Sequence, residues 1–311
     1  MINRELIRLK VVQIVYSYYQ NGNQKPDAAE KELQLSMSKA YDLYNYLLLL
    51  LVEINRIAQR SFETKQSRAH RLGETIELKS KFVNNRFMLL LESNKQLRQF
   101  REMTNRTWID QEEFVRDLWN KIEASENYQA YMQSERSDYD EDREIWRQIY
   151  RNFICNNEEL DSILEDMSLY WNDDKAIVDT FVLKTINRFN PENGVDQPLL
   201  PEFRDPSDEE FACQLLRRTL GNYDYYHKLI ADSTRNWDVE RLALMDRIIM
   251  QIALAEIITF PAIPISVSIN EYVEIAKMYS TPNSSKYVNA TLDHIVKKLE
   301  SENKLIKINN K

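Results

Sequence analysis

Glycine is scarce in this chain of 311 residues, and that scarcity narrows the folds open to it. Only Gly22, Gly73, Gly194 and Gly221 occur, and the eight prolines lie mostly outside the periodic stretches. Because glycine and proline are the strongest local breakers of regular structure, long helices with short connections are expected. The pattern predicts an all-α fold. Apolar residues recur at helical spacing over residues 3–20, 27–62, 76–104, 110–125, 138–156 and 160–190.

A proline-rich stretch marks the clearest internal boundary. A length of 311 residues suggests about two domains. Residues 190–206 contain four prolines and Gly194, which excludes a regular helix there. Beyond this linker, Ser207 and Glu210 fit a capping box that would open the next helix. Residues 191–206 are therefore predicted to separate two helical regions.

Charge is distributed unevenly along the chain. The formal net charge of −8 argues against a protein that clamps nucleic acid with its whole surface. Residues 60–101 nevertheless hold ten Lys or Arg against four Glu, and residues 107–174 hold six against nineteen acidic residues. The acidic block is either a set of solvated helix faces or a docking site for a basic partner. The basic block is either solvated or part of an RNA path.

Catalytic and membrane functions find no support in the residue patterns. His70, His227 and His294 lie far apart, and the four scattered glycines cannot form a phosphate-binding loop. Cys155 and Cys213 lack metal-ligand spacing and suit a reducing compartment. The longest apolar run, residues 47–52, is too short to cross a bilayer. We expect a cytoplasmic protein without cofactor, metal site, membrane contact or enzymatic activity.

The last quarter of the chain carries unusually complete helix signals. Ser268 and Glu271 fit a capping box, with Val267 and Tyr272 as its hydrophobic staple, so a helix is expected to start near Ser268. Residues 280–285, with the sequence STPNSS, cannot continue that helix. A final helix then follows. The core does not require the polar residues of this turn, so the turn is the first candidate for function.

These residues resemble the C-terminal signature of the NusB family of bacterial antitermination factors. The first helix is similar to the opening helix of that family, with an arginine-rich segment followed by apolar residues. The resemblance covers about residues 1–20 and 207–300. The matching positions are Arg4, Arg8, Val12, Val15, Tyr16, Ser17, Ile269, Asn270, Glu271, Ala276, Lys277, Tyr279, Ser284, Lys286, Val288, Asn289, Leu292 and Asp293.

The resemblance implies a domain organisation. Residues 1–22 would form a first helix that packs with a NusB-like helical core at residues 207–300. Residues 23–190 would form an additional helical region, residues 191–206 a linker and residues 301–311 a polar tail. The additional region could be a degenerate second copy of the core, because a shift of 66 places Trp171 on Trp237 and Arg151 on Arg217. Chance alignment of two helical hairpins is the alternative.

The resemblance also implies partners and site residues. The family pairs with the ribosomal protein NusE and recognises boxA-type single-stranded RNA within an RNA polymerase antitermination complex. RNA contacts would map to Arg4 and Arg8, with Lys10 as a local candidate, and to Lys286 and Tyr287. The alternatives for the last two are a solvated lysine and a tyrosine that anchors the final helix. Glu5 and Leu6 replace part of the arginine-rich segment, which predicts weaker RNA binding through this helix.

Contacts with NusE would map to Tyr16, Asp246 and Asn283. Asp246 also stands out on physical grounds, since a charge within a strongly apolar helix needs a partner. Arg247 or another internal cation is the alternative to a NusE contact. Asn283 replaces an acidic residue found in some relatives, and its alternative role is in the turn itself.

Two other functions remain open from the sequence. A helical protein-protein adaptor without RNA binding would be consistent with the net negative charge and with the reduced number of arginines in the first helix. An accessory module related to the N-terminal domains of ribosomal RNA cytosine methyltransferases would suit the helical core. The glycine-poor chain offers no methyl-donor domain, which disfavours the last reading.

Overall fold

The computed structural model describes residues 1–22, 25–73, 79–234 and 242–308. Their regular structure is helical, apart from one isolated bridge between Ile2 and Phe203, which confirms the all-α prediction. The described helices are α1 Arg4–Gln20, α2 Pro26–Arg71, α3 Arg86–Ser93, α4 Lys95–Thr104, α5 Glu112–Glu123, α6 Glu126–Gln133, α7 Tyr139–Ile149, α8 Glu158–Met167, α9 Lys175–Arg188, α10 Ser207–Gly221, α11 Tyr223–Ser233, α12 Leu244–Thr259, α13 Ile265–Tyr279 and α14 Ser284–Ser301.

The chain forms two compact units. The insertion unit contains Met1 with Lys39–Glu202, and the bundle unit contains Ile2–Ser38 with Phe203–Lys311. The division falls inside α2, so the first part of this helix belongs to the bundle unit. The predicted additional region begins at residue 23 instead, because the sequence shows no break in the helical period near residue 38.

The bundle unit is built around α12. Every residue of α12 from Ile248 to Ile257 is buried, and a helix that is apolar on all sides belongs in a core. It packs against α1, α10, α11, α13 and α14. The helix also carries two buried carboxylates, Asp246 and Glu256. Both become important for the site described below.

The insertion unit has an aromatic core. Apolar residues at helical spacing in α2, such as Leu43, Leu47 and Leu50, are fully buried. The Tyr46 ring stacks on Trp108 with centroids 4.3 Å apart and on Trp171 at 5.7 Å. The Trp108 indole nitrogen donates to the Tyr46 carbonyl at 3.0 Å. In the same unit, α7 packs against α3 and α9.

Several predicted helices are divided in the structure. The stretch 160–190 forms α8 and α9, with residues 168–174 between them. The stretch 76–104 forms α3 and α4, and its residues 76–78 lie outside the described part of the chain. Asn94 separates α3 from α4 because its side chain accepts from Leu97 N at 3.1 Å and donates to the Gln197 carbonyl at 2.7 Å. Periodicity alone does not reveal such a cap.

Both predicted capping boxes were wrong. Helix α13 begins at Ile265 after Pro264, so Ser268 lies inside the helix and is buried. Helix α10 begins at Ser207 itself, whose backbone N–H donates to Asp205 at 2.8 Å. A proline precedes each of these two helices, and its fixed φ angle is compatible with the start of a helix. The hydroxyls of Ser207 and Ser268 are therefore available for other hydrogen bonds.

The segment after α14 returns to the bundle. Lys307 donates to the carbonyls of Phe260 and Ile263 at 3.0 and 2.8 Å, and Ile308 N donates to Pro261 at 3.1 Å. Burial lowers the pKa of Lys307. This segment closes over the loop between α12 and α13. None of the helices in the described part of the chain combines the length and apolarity needed for a bilayer crossing.

Candidate functional site

The N-terminal end of α1 borders an open, highly charged cleft of the bundle unit. Its volume is about 410 Å³. The cleft is lined by Asn3, Arg4, Glu5, Arg8, Arg204, Asp205, Asp208 and Glu271. Two of the predicted RNA-binding residues, Arg4 and Arg8, thus lie together, but their surroundings differ.

Arg8 is an internal side chain. Its Nε and Nη2 atoms donate to the two carboxylate oxygens of Glu256 at 2.8 and 2.9 Å, and its Nη1 donates to Glu271 at 3.0 Å. Burial by itself lowers the pKa of Arg8, but the hydrogen bonds and charge of Glu256 outweigh it and the net shift is upward. The guanidinium therefore stays charged and joins α1 to α12 and α13.

Glu256 is the centre of this network, and the sequence prediction missed it. Besides Arg8, it accepts from Ser268 Oγ at 2.7 Å and from Tyr272 OH at 2.9 Å. Burial and the neighbouring Glu256 charge raise the pKa of Tyr272 well above its usual value. A fully buried carboxylate is tolerated because its oxygens accept several hydrogen bonds. Like Asp246, Glu256 is a charged residue in a strongly apolar helix, and this feature of the sequence could have identified it.

The basic residues of α1 differ in how accessible they are. Lys10 is fully buried, and Arg8 is 4 % exposed. The structure thus buries two side chains that were expected to contact RNA. Arg4 retains 43 % of its side-chain exposure while its Nε donates to Asp208 at 3.3 Å. Its guanidinium also lies over the Phe211 ring, 5.0 Å from the centroid.

Asp246 anchors the polar turn between α13 and α14. Its carboxylate accepts from Ser280 Oγ at 2.6 Å and from Ser284 Oγ at 2.9 Å. Ser284 Oγ in turn accepts from the Thr281 backbone N–H at 3.2 Å. Asp246 is 6 % exposed, so these hydroxyls provide the partners that its buried charge requires. The structure therefore places Asp246 behind the turn, where it fixes the turn against α12.

The outer face of this turn presents the remaining predicted residues. Asn283 and Lys286 are exposed, and Asn283 makes no side-chain capping bond to the described backbone of α14. Tyr287 is half-buried, and burial raises its pKa. Asn283, Lys286 and Tyr287 are called the turn face below. Tyr16, on α1, is 39 % exposed.

The comparisons with known proteins centre on this unit. A sequence profile described as the NusB family matches residues 181–297. The match includes Asp246 and the turn face, whereas α1 lies outside it. No solved structure matches the chain.

Three relatives, all described as transcription antitermination protein NusB, show how far the likeness extends. The protein from Salinibacter ruber is 37% identical over 108 residues, which are 35% of this chain and 68% of that protein. The Chloroherpeton thalassium protein is 36% identical over 115 residues, 36% of this chain and 54% of the relative. The Dictyoglomus turgidum protein is 33% identical over 111 residues, 35% of this chain and 77% of the relative.

The aligned regions cover 54–77% of the lengths of these relatives. Most of the insertion unit lies outside the residues that the family profile matches. The family is one of non-catalytic factors, which agrees with the expectation that this chain is not an enzyme. Fold, family profile and relatives point the same way. The chain belongs to the NusB family of transcription antitermination proteins, as a long form with an additional helical unit.

Proposed function

We propose that this protein pairs with a NusE-type ribosomal protein and recognises boxA-type RNA within an RNA polymerase antitermination complex. The observation that carries the proposal is the anchored turn face. Exposed polar side chains there lie on a turn held to α12 by Asp246, Ser280 and Ser284. A rigid support under exposed polar groups suits recognition, since less conformational freedom is lost on binding.

The RNA contact is proposed to use Lys286, Tyr287 and Arg4. RNA sequence is read mainly on single strands, through base stacking on aromatic rings and hydrogen bonds to exposed base edges. Lys286 would meet a phosphate and Tyr287 would offer its ring edge or face. Arg4 is the accessible arginine of α1, whereas Arg8 supports RNA binding only by holding α1 in place.

The NusE contact is proposed to use Tyr16 and Asn283, the two accessible members of the predicted set. Asp246 serves this contact indirectly, because it is buried behind the turn. Its loss would displace the surface that the partner meets. A half-exposed tyrosine and a free amide are typical components of protein interfaces.

A binding titration tests the proposal. Labelled boxA-like RNA is titrated with the full chain, alone and with its cognate NusE-type protein, in parallel with a scrambled RNA. We expect sequence-selective binding that strengthens when both proteins are present. If the scrambled RNA binds as tightly as the boxA-like RNA, both with and without the NusE-type protein, the proposal is contradicted.

A matched pair of lysine variants tests the role of Lys286. Lys286→Gln should weaken boxA RNA binding and lower the salt slope by about 0.7, because one phosphate contact is lost. Lys297→Gln is the control on the same helix, since Lys297 is exposed and pairs with Asp293 at 2.6 Å. Equal effects of the two variants would remove Lys286 from the RNA contact.

A second candidate function follows from the burial of Arg8 and Lys10. Two of the three basic residues proposed on α1 are withdrawn from the surface, which favours a protein-protein adaptor without RNA binding. In that case the NusE-type protein should bind with unchanged affinity in the presence or absence of RNA. The titration above separates the two functions.

A further inference from the structure

The last turns of α2 extend beyond the core of the insertion unit. Apolar side chains bury this helix as far as Ala58, which is 1 % exposed. From Glu63 to Gly73, every residue except Ala69 is exposed. The helical part of this segment, up to Arg71, contains no large apolar residue, so it has no face that packing could bury. Its side chains are therefore accessible to a partner.

Basic residues follow one side of these last turns. Each residue of an α-helix is rotated by about 100° from the one before, so Arg60, Arg68 and Arg71 lie within about 80° of one another. Lys65 lies about 60° from Arg68 on the same side. These four residues are called the basic stripe below, and they span about 16 Å along the helix. Glu63, the acidic residue of this segment, lies about 140° from Arg68.

The part of the basic stripe nearest the core is partly neutralised by α5. Arg60 lies 3.8 Å from Glu112, and Lys65 pairs with Glu123 at 2.5 Å. All four side chains are at least partly exposed, and surface pairs of this kind contribute little to stability. These pairs direct the basic stripe toward the surface beside α5.

The outer part of the basic stripe has unused positive charge. Among the described residues, no acidic side chain forms an ion pair with Arg68 or Arg71. Arg71 Nε donates only to the Ser67 carbonyl of its own helix, at 3.4 Å. A guanidinium has five N–H donors and stays charged at all relevant pH values. Two arginines with most of their donors free thus lie one turn apart at the exposed end of α2.

Charge complementarity favours a polyanion on this surface. The chain as a whole is acidic, and residues 107–174 of the same unit carry a large excess of Asp and Glu. That excess would repel phosphate groups elsewhere on the unit, whereas the basic stripe would attract them. The planar fork of arginine also matches the oxygens of a phosphate. A row of such charges suits a chain of phosphates better than a single anion.

We propose that the basic stripe contacts the phosphate backbone of the single-stranded RNA that adjoins the boxA-type element. This inference rests on the proposed RNA-binding function and extends it to the insertion unit. Arg68 and Arg71 make the principal contacts, because they have no competing carboxylate among the described residues. Phosphate contacts carry no direct sequence information, so the basic stripe adds affinity whatever the flanking sequence is.

The test compares two labelled RNAs, a boxA-like element alone and the same element with single-stranded extensions at both ends. The full chain with its cognate NusE-type protein should bind the extended RNA more tightly. Arg68→Gln with Arg71→Gln should lower the salt slope for the extended RNA by up to about 1.4, the value for two phosphates on a single strand. Raising the salt from about 50 to 200 mM should therefore weaken binding by the unmodified protein about sevenfold more than binding by the variant.

Lys184→Gln with Arg188→Gln is the control pair, with the same loss of charge on exposed residues of α9 in the same unit. These residues adjoin Thr185, whose hydroxyl lies 2.6 Å from that of Tyr44 on α2. Arg68 lies about 36 Å farther along α2, several times the screening length of about 8–10 Å. The control should keep the salt slope of the unmodified protein. An equal loss of slope in both pairs would indicate general electrostatics and overturn the inference.

The remaining outcomes separate this inference from the proposed function. If the unmodified protein binds neither RNA, both fail. If it binds the boxA-like element and the extensions add no affinity, the inference fails and the proposed function stands. If Arg68→Gln with Arg71→Gln weakens binding of the NusE-type protein while the salt slope for the extended RNA is unchanged, the basic stripe meets an acidic protein surface and the inference is overturned.

Discussion

At the residue scale, Arg8 and Glu256 form a buried ion pair in the bundle unit. Two parallel hydrogen bonds of 2.8 and 2.9 Å join them, and both side chains are almost fully withdrawn from water. Bidentate pairs of this type are strong and fix orientation as well as distance. A substitution of either partner leaves the other charge buried without its counterpart.

Glu256→Gln tests this dependence. Removing one partner of a buried ion pair typically costs about 3–5 kcal/mol, because an uncompensated charge remains. We expect a loss of that order in the free energy of unfolding, measured by denaturant titration. Glu271 remains beside Arg8 at 3.0 Å and should place the loss toward the lower end.

Glu274→Gln is the control for that measurement. Glu274 is exposed on α13 and pairs with Lys277 at 2.6 Å, and such surface pairs contribute about 0–1 kcal/mol. A Glu256→Gln variant as stable as the Glu274→Gln variant would show that the buried network does not hold α1 to α12 and α13.

At the element scale, side chains join the turn between α13 and α14 to α12, in addition to the backbone hydrogen bond within the turn from Ser284 N to Thr281 O at 2.9 Å. Asp246 reaches it from α12 through the hydroxyls of Ser280 and Ser284. Those hydroxyls satisfy a carboxylate that would otherwise be buried at a cost. The turn and α12 are therefore coupled, although 34 residues separate Asp246 from Ser280.

Ser284→Ala tests that coupling. Loss of the hydroxyl leaves Asp246 with fewer partners and should lower the free energy of unfolding by about 1–3 kcal/mol. It should also weaken binding of the NusE-type protein, although Ser284 itself is buried. Ser285→Ala, at the neighbouring half-buried position, serves as the control in both measurements. Equal stability and binding of the two variants would contradict the coupling.

The elements themselves were largely predictable from sequence, whereas their ends were not. Periodic apolar residues identify a long helix such as α2 because burial follows the helical repeat. The break at Asn94 depends on a hydrogen bond to Gln197, which lies 103 residues away. The Ser268 side chain bonds to Glu256 instead of capping α13. Such outcomes follow from tertiary contacts that local patterns do not contain.

The candidate site was predictable only in part, again because local sequence patterns do not contain tertiary contacts. The polar turn was identified on the premise that the core does not require its residues. The structure places Asn283 and Lys286 at the surface, but it buries Ser284 against Asp246. Arg8 and Lys10 were predicted as RNA contacts from the family resemblance, and the structure buries both, although basic side chains are seldom buried. The carboxylate of Glu256 compensates the buried charge of Arg8. Their assigned roles in RNA and protein binding stay predictions.

At the scale of the whole molecule, each unit carries a buried aspartate in a comparable helical sequence. Asp179 on α9 accepts from Tyr150 OH at 2.7 Å and from Lys175 Nζ at 2.9 Å. Asp246 on α12 accepts from two serines instead. Helices α7 to α9 and α10 to α12 also follow one another with similar lengths. Duplication stays a prediction, since Trp237, part of its motivation, lies outside the described residues.

The stability of the whole chain should decline at alkaline pH because tyrosines in both units are buried. Burial raises the pKa of Tyr19, Tyr128 and Tyr139 to about 12, from 10.0 in the unfolded chain. Between pH 10 and 12 the unfolded chain releases protons that the folded chain retains, so unfolding becomes more favourable. Below pH 10 this contribution to stability is fully present.

Denaturant titrations between pH 8 and 12 check this expectation. Tyr139→Phe should show a smaller decline over that range, at the cost of the hydrogen bond from its hydroxyl to the Phe189 carbonyl at 3.1 Å. A free energy of unfolding that stays constant to pH 12, or a variant with an unchanged decline, would argue against buried neutral tyrosines as its source.

The Arg8 and Glu256 pair has a further consequence during synthesis. The two residues are 248 positions apart, so a ribosome adding about 5–20 residues per second needs roughly 12–50 s to supply the second after the first. During that interval α1 has a cation and an apolar face, including Leu6 and Val12, without the helix that later covers them. The bundle unit can therefore complete its core only late in synthesis, after α12 has been added.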